Sequence, residues 1–246
     1  MIRLQPAIDE HTALSFPGNG CIVVRMNEAR LISIQVGMPQ TLYSEEAIGP
    51  AEQAWVTGII KEPVSGPVWL SQTNLAGDGQ GSPKTHGGPE KAVCVYPQEH
   101  YWYWQRELDM PSLVNGDFGE NFTTAGQTEQ QVCIGDVFQL GEAMVQLSQP
   151  RPPCWRLARR WQIKDLALRV DQTGKTGWYL RVLQQGHVES GVAIQLLDRP
   201  FPEWTVATVN DLEQGRIVDL DAMRSLAACP LLSESWRAGF SKKSAK

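Results

Sequence analysis

Glycine and proline punctuate this chain so densely that few intervals between them admit anything longer than a short strand or a modest helix. The sequence holds 22 glycines and 16 prolines in 246 residues. Such spacing favours turns and many short elements. The apolar runs agree. Leu31–Val36 ends in a Gly–Met–Pro turn, Trp55–Lys61 and Val68–Leu70 flank a Pro/Gly-rich turn, and Lys91–Tyr96 is β-branched and apolar. Each reads as a strand. Cys133–Leu140 and Ala143–Leu147, separated by Gly141–Glu142, read as strand, tight turn and strand. Gly191–Leu197 reads as a last strand.

Helical signals are fewer. Pro97 suits a helix start, because its missing N–H would be unpaired there anyway, and the pattern continues from Gln98 to about Leu108. A basic stretch from Cys154 to Trp161 and a segment from Gly177 to Leu183 also read as helical. Beyond Arg199–Pro200–Phe201–Pro202 the texture changes to short helices at Thr205–Leu212, Leu220–Ala228 and Leu232–Phe240, punctuated by Gly215 and Pro230. The expected organisation is an irregular leader over 1–28, a mainly β domain with some helix (α+β) over 29–200, and a small three-helix appendage over 201–246.

Charge and cysteine content narrow the function classes. A net charge of −5 lacks the basic footprint of a general nucleic-acid binder. Over residues 198–246, seven Lys/Arg meet seven Asp/Glu, so phosphate attraction by the terminal helices should be weak. No apolar stretch reaches the roughly 18–20 residues that span a bilayer. The first twenty residues carry Asp9 and Glu10 and no continuous apolar segment, unlike a signal peptide. Five widely spaced cysteines suit free thiols in a reducing compartment, so a cytoplasmic protein is expected.

Two stretches carry most of the chemistry. In Gln149–Pro150–Arg151–Pro152–Pro153–Cys154–Trp155–Arg156, prolines hold φ near about −65° and stiffen the approach to Cys154. A helix starting there would put the thiol at a positive dipole end. Arg151, Arg156, Arg159 and Arg160 crowd the same stretch, with no acid before Asp165. Both effects favour the thiolate, the nucleophilic and metal-ligating form, and the cations invite an anion such as phosphate. The alternative is an inert buried cysteine beside a solvated basic helix. The second stretch, Lys84–Thr85–His86–Gly87–Gly88–Pro89, closes a loop from Leu75 to Gly88 that holds five glycines. Glycine there permits close backbone approach to a ligand; the alternative is an ordinary flexible connection. Gly116–Asp117–Phe118–Gly119–Glu120–Asn121 is a third turn able to hold polar groups.

Several chemistries lack their residues. There is no CxxC or HExxH for zinc among only four histidines. Neither GxSxG nor a strand-to-helix GxGxxG is present, and the cysteine spacing of an iron–sulfur cluster is missing. Cys94 reads as strand core.

Taken together and in order, Leu75–Gln80, Lys84–Pro89, Gly116–Phe122, Ile134–Asp136 and Gln149–Cys154 resemble the MOSC family, specifically its YiiM-like branch, which ends in three helices like residues 204–246. The resemblance covers about residues 30–240. It implies a MOSC-type β-barrel that binds the molybdenum cofactor through its pterin and phosphate, and a reductase that converts N-hydroxylated compounds, such as hydroxylamino purines, to amines. By the same resemblance Cys154 is the metal ligand, with Lys84, His86, Gly119, Glu120, Asn121 and Arg151 around the pterin phosphate and metal. A soft thiolate suits a metal already bearing dithiolene sulfurs, and His86 stands as the expected proton donor.

MOSC domains fused to cofactor sulfurases follow a large pyridoxal-phosphate region for which this chain has no room. Flavin and iron–sulfur motifs are also missing from the sequence, so electrons are expected from a separate donor protein. A non-catalytic carrier of the cofactor or of sulfur is the competing expectation. The terminal helices are expected to serve docking or homodimerisation.

Overall fold

A computed structural model describes residues 29–43 and 54–245, excluding the side chain of Lys84. The expected leader over 1–28 lies outside the described residues. Eight strands form one sheet in the order β12-β8-β9-β10-β6-β7-β1-β4. Their ranges are β1 Arg30–Val36, β4 Glu62–Pro63, β6 Val93–Pro97, β7 Phe122–Ala125, β8 Val137–Leu140, β9 Ala143–Pro150, β10 Trp178–Gln184 and β12 Gln195–Asp198. Neighbours are antiparallel except β6 and β7, which pair parallel, Val95 opposite Phe122. Two small ribbons complete the strands: β2 (Gln40–Tyr43) with β3 (Ala54–Thr57), and β5 (Val68–Leu70) with β11 (Gly186–Val188).

The sheet curls until its ends meet. The run 191–194, which feeds β12 at one end, bonds to β1 near the other: the Leu31 amide donates to Val192 O at 3.0 Å and the Ile194 amide to Ala29 O at 2.7 Å. Closure of this kind leaves little open edge, as a barrel requires. Leu31, Ile34, Val93, Val95, Phe122, Leu147, Leu180 and Val182 fill the interior.

The α-helices are α1 (Pro83–His86), α2 (Glu99–Glu107), α3 (Trp155–Trp161), α4 (Leu166–Thr173), α5 (Val206–Glu213), α6 (Leu220–Ala228) and α7 (Glu234–Ser244). The last three agree closely with the sequence pattern, and their starts are chemically marked. Thr205 accepts from the Thr208 amide, and Asp219 accepts from those of Asp221 and Ala222, so orphan amides at both starts are paired. Val206, Val209, Leu226, Leu232 and Phe240 join the same apolar cluster as the barrel interior. The three helices therefore cap the barrel and share its core.

One element reverses the sequence reading. Gly177–Leu183 was expected to be helical, yet residues 178–184 form β10, between β9 and β6. Trp178, Tyr179, Leu180 and Val182 are all buried. A strand covered on both faces shows no alternation, and its continuous apolar run mimics a buried helix. Helix α4 was not anticipated; its Leu166 and Val170 pack with Trp104, Phe118 and Leu157 into a second, aromatic-rich cluster.

Candidate functional site

A cleft opens between the barrel and the loops that follow β3 and β5. Strands supply its floor. Cys94 on β6 stands opposite Tyr179 on β10 in the sheet register, so the two side chains share one face, and the Tyr179 hydroxyl lies against the Cys94 thiol. Burial raises the pKa of the Cys94 thiol. Burial, aided by Cys94, likewise raises that of the Tyr179 phenol. Both floor groups are therefore neutral near neutrality.

Asn121, just before β7, holds the floor together. Its Oδ1 accepts from the Cys94 amide at 3.1 Å, and its Nδ2 donates to Gln35 O at 3.3 Å and Asp78 Oδ2 at 2.9 Å. Asp78 also accepts from the Gly37 amide at 2.9 Å and pairs with Lys61. The Asp78 carboxylate is thus consumed within the wall. Among the described lining residues Lys61, Lys91, Arg151 and Arg156 face this one acid. Lys61 offsets Asp78, which leaves three cations in surplus, an arrangement that favours an anionic ligand.

Cys154 is the N-cap residue of α3, in extended conformation, and is half-buried where β9 gives way to that helix. Its Sγ lies 3.5 Å from His86 Nε2, and both residues line the cleft. The Pro–Cys segment and the His–Gly loop, 68 residues apart, therefore meet at one point. His86 Nδ1 lies 2.8 Å from Thr85 Oγ1. Burial, reinforced by Arg156, Arg151 and Lys91, lowers the His86 pKa from 6.5 to about 4. Near neutrality the ring of the ligand-free protein is therefore neutral.

The other expected site residues divide. Gly119 and Arg151 line the cleft. Gly119 sits at φ +77, and a Cβ there would come within 2.6 Å of Ile59 Cγ1, so only glycine fits without displacing that wall. Arg151 is buried and donates to Phe118 O at 2.5 Å. Asn121 lines the cleft, but its amide is spent on the floor. Glu120 does not reach the cleft: it is fully buried and accepts from the Tyr101 hydroxyl at 2.5 Å, the Gly116 amide at 2.7 Å and the Thr123 hydroxyl at 2.8 Å. The Lys84 side chain lies outside the described residues.

The arginine cluster also splits. Arg156 faces the cleft. Arg160 turns away, bonding Ile59 O at 2.8 Å, Gly116 O at 3.2 Å and Asp117 Oδ1 at 2.7 Å. Arg159 lies over the Trp55 and Trp155 rings. Sequence reasoning missed Cys94, Tyr179, Lys61 and Asp78 as cleft residues.

Residues 82–195 match the MOSC domain family model, and residues 204–245 match the YiiM-like, 3-alpha helix domain. The uncharacterized protein YflK of Bacillus subtilis (strain 168) is 47% identical over 214 residues, which cover 87% of this chain and 93% of that protein. This chain belongs to the MOSC family, in its YiiM-like branch. Protein YiiM of Escherichia coli (strain K12) is 38% identical over 76% of this chain and 84% of its own length. A Gibberella moniliformis protein named "Reductase" is 36% identical over 71% of this chain, a match that spans 32% of that longer protein. The crystal structure of YiiM from Geobacillus stearothermophilus superposes with a TM-score of 0.73 at 37% identity, covering 87% of this chain and 98% of that one. Within this MOSC domain the cleft draws on both the barrel strands and the His–Gly loop. Among the described residues no helix is long and apolar enough to cross a membrane.

Proposed function

We propose that the cleft holds the molybdenum cofactor, with Cys154 as the protein ligand to the metal, and that the protein reduces N-hydroxylated compounds such as hydroxylamino purines to amines. One observation carries the reading: a half-buried cysteine sulfur opens into a cleft where four cations face a single, already paired carboxylate. That donor set fits a group that is anionic at its phosphate and soft at its metal. Among the described residues no three His, Cys, Asp or Glu side chains converge as a metal site, so a metal at Cys154 would bring its remaining ligands with it. Membership of the MOSC family, and the likeness to a protein named "Reductase", support the same assignment.

The chain's own residues have definable tasks. Lys91, Arg151 and Arg156 attract and orient the anionic end of the ligand. Gly119 lets backbone approach closely. Neutral His86 hydrogen-bonds at the Cys154 sulfur and fixes its direction, while neutral Cys94 and Tyr179 keep further charge from the floor. The cofactor, when bound, supplies the two electrons that cleave the N–O bond. The net change is R–NHOH plus two electrons and two protons to R–NH2 plus water, with electrons delivered by a separate protein.

The test is Cys154→Ser protein made in a cofactor-competent host. We expect metal and pterin content to fall at least about tenfold, in keeping with the loss of a direct metal bond, and turnover with an artificial reductant to vanish. A variant with full metal content and full reductase activity refutes the assignment. Wild-type protein that binds the cofactor without turning over any N-hydroxylated compound is a carrier instead.

A further inference from the structure

The run that leads into Cys154 is short of backbone donors. Three of residues 150–153 are prolines, so the Arg151 amide is the one N–H with which the run can tie itself to the barrel. That amide donates to Gly177 O at 3.1 Å. The anchor therefore lies on the turn before β10, and where that carbonyl sits, cleft-lining Arg151 must follow.

Gly177 is itself fixed from several sides. It has φ +72, and a Cβ there would collide with Val95 O, so it presses on β6 as only glycine can. Its amide donates to Glu129 Oε1 at 2.7 Å. Glu129, between β7 and β8, has its other carboxyl oxygen 2.8 Å from Nε2 of His100 on α2. The Gly177 carbonyl accepts a second bond, from the Thr176 hydroxyl at 3.0 Å, and that hydroxyl accepts from Asn210 Nδ2 of α5 at 2.9 Å. The Ala207 amide, also on α5, donates to Glu129 O at 2.9 Å.

Glu129, His100, Thr176 and Asn210 are all buried, and none of them lines the cleft. Burying polar groups is costly unless they are bonded, yet this network converges on one turn. A connected network of this kind rigidifies what it holds.

We infer that Glu129 is a positioning residue for the cleft: by holding the Gly177 amide it fixes the carbonyl that anchors Arg151. Through Arg151 it also sets the entry of the stiff Pro152–Pro153–Cys154 segment. This rests on the reading of the cleft as an anion site and names what sets its geometry from outside. His100 and Asn210 steady Glu129 and Thr176, so α5 of the terminal helices contributes to the site without touching it.

Two measurements test the role. Amide hydrogen exchange of the ligand-free protein reads the anchor directly. In Glu129→Ala the Arg151 amide should exchange at least about tenfold faster relative to the Leu147 amide, a β9 reference that bonds Asp136 O. Inorganic pyrophosphate, titrated by calorimetry, reads the consequence: its dissociation constant should rise about tenfold in the same variant. Glu129→Gln keeps an acceptor for the Gly177 amide and should restore most of both. A purely structural Glu129 would lower the melting temperature but leave the exchange ratio and the pyrophosphate affinity unchanged, and that result overturns the positioning role. Should Glu129→Ala fail to fold, Thr176→Val decides the matter in its place, with changes of about threefold expected for one lost bond. Wild-type protein that binds no pyrophosphate defeats the anion-site reading, and the exchange ratio then decides the positioning role by itself.

Discussion

Beneath the cleft, β9, β10, β6 and β7 lie side by side, and the polar side chains that tie them are committed to neighbours: Asn121 to Cys94, Gln35 and Asp78, and Arg151 to Phe118 O. The rim is built otherwise. Residues 79–91 hold Gly79, Gly81, Gly87 and Gly88 around the four-residue helix α1, whose Ser82 N-cap makes no side-chain cap bond. The rim's ties to the rest of the chain include the 3.5 Å approach of His86 to Cys154, the 3.1 Å bond from the Gly79 amide to Gly37 O and the 2.6 Å bond from the Ser148 hydroxyl to Glu90 O. The contrast teaches where identity is fixed by folding and where it is left for ligand contact. Buried, fully bonded groups resist change because an orphaned partner costs more than a bond is worth, whereas rim groups can be tuned without unfolding the barrel.

Substituting Asn121 by Ala probes that contrast hardest. The variant loses three described hydrogen bonds and leaves the Asp78 and Cys94 partners short, so a loss of about 3 kcal/mol is expected. That should lower the apparent melting temperature by roughly 6–12 °C; a shift within a degree or two would mean that the floor is no more rigid than the rim. Gly119→Ala should cost about 1–2 kcal/mol from its left-handed backbone alone, with more for displacing Ile59, and denaturant titration reads the loss directly. Because Gly119 faces the cleft, ligand affinity should fall with stability.

The smallest effect belongs to the rim and depends on pH. His86 has a folded pKa of about 4 against an ordinary 6.5. Between these values the unfolded chain takes up a proton that the folded chain refuses. The resulting stability is present above pH 6.5 and lost as pH falls towards 4. Thermal melts of the ligand-free protein should therefore decline more steeply across that window than those of His86→Gln, with the two variants alike near pH 7.5. Parallel curves would show that His86 is as well solvated as a free histidine.

What the sequence disclosed follows the same division. Cys154, His86 and Arg151 were legible because each stands in a Pro- or Gly-marked segment where composition departs from core patterning. The terminal helices were legible through Gly215 and Pro230, and Thr205 and Asp219 carry cap chemistry at two of their starts. Cys94 and Tyr179 were hidden because in a buried strand a functional side chain and a packed one look alike. For Tyr179 the available signal was the aromatic and β-branched character of Trp178–Val182, which favours a strand over a helix. Lys61 and Asp78, 17 residues apart, gave no local sign of pairing. The enclosure of Glu120 was hidden because one hydroxyl donor, Tyr101, lies 19 residues away in sequence, while the other, Thr123, is three residues on in the next strand.

The lone parallel pairing among the described strands, β6 beside β7, has a bearing on biosynthesis. Antiparallel neighbours can zip from a hairpin, but a parallel pair must wait for its crossover, here from Gln98 through Asn121, to be made and folded back. Arg151 and Tyr179 come later still from β9 and β10. A chain emerged only as far as Ala125 therefore carries β6 and β7 but lacks Arg151 and Tyr179 of the cleft. The cleft lined by Cys94, Arg151 and Tyr179 is thus complete only once the chain has been made through β10.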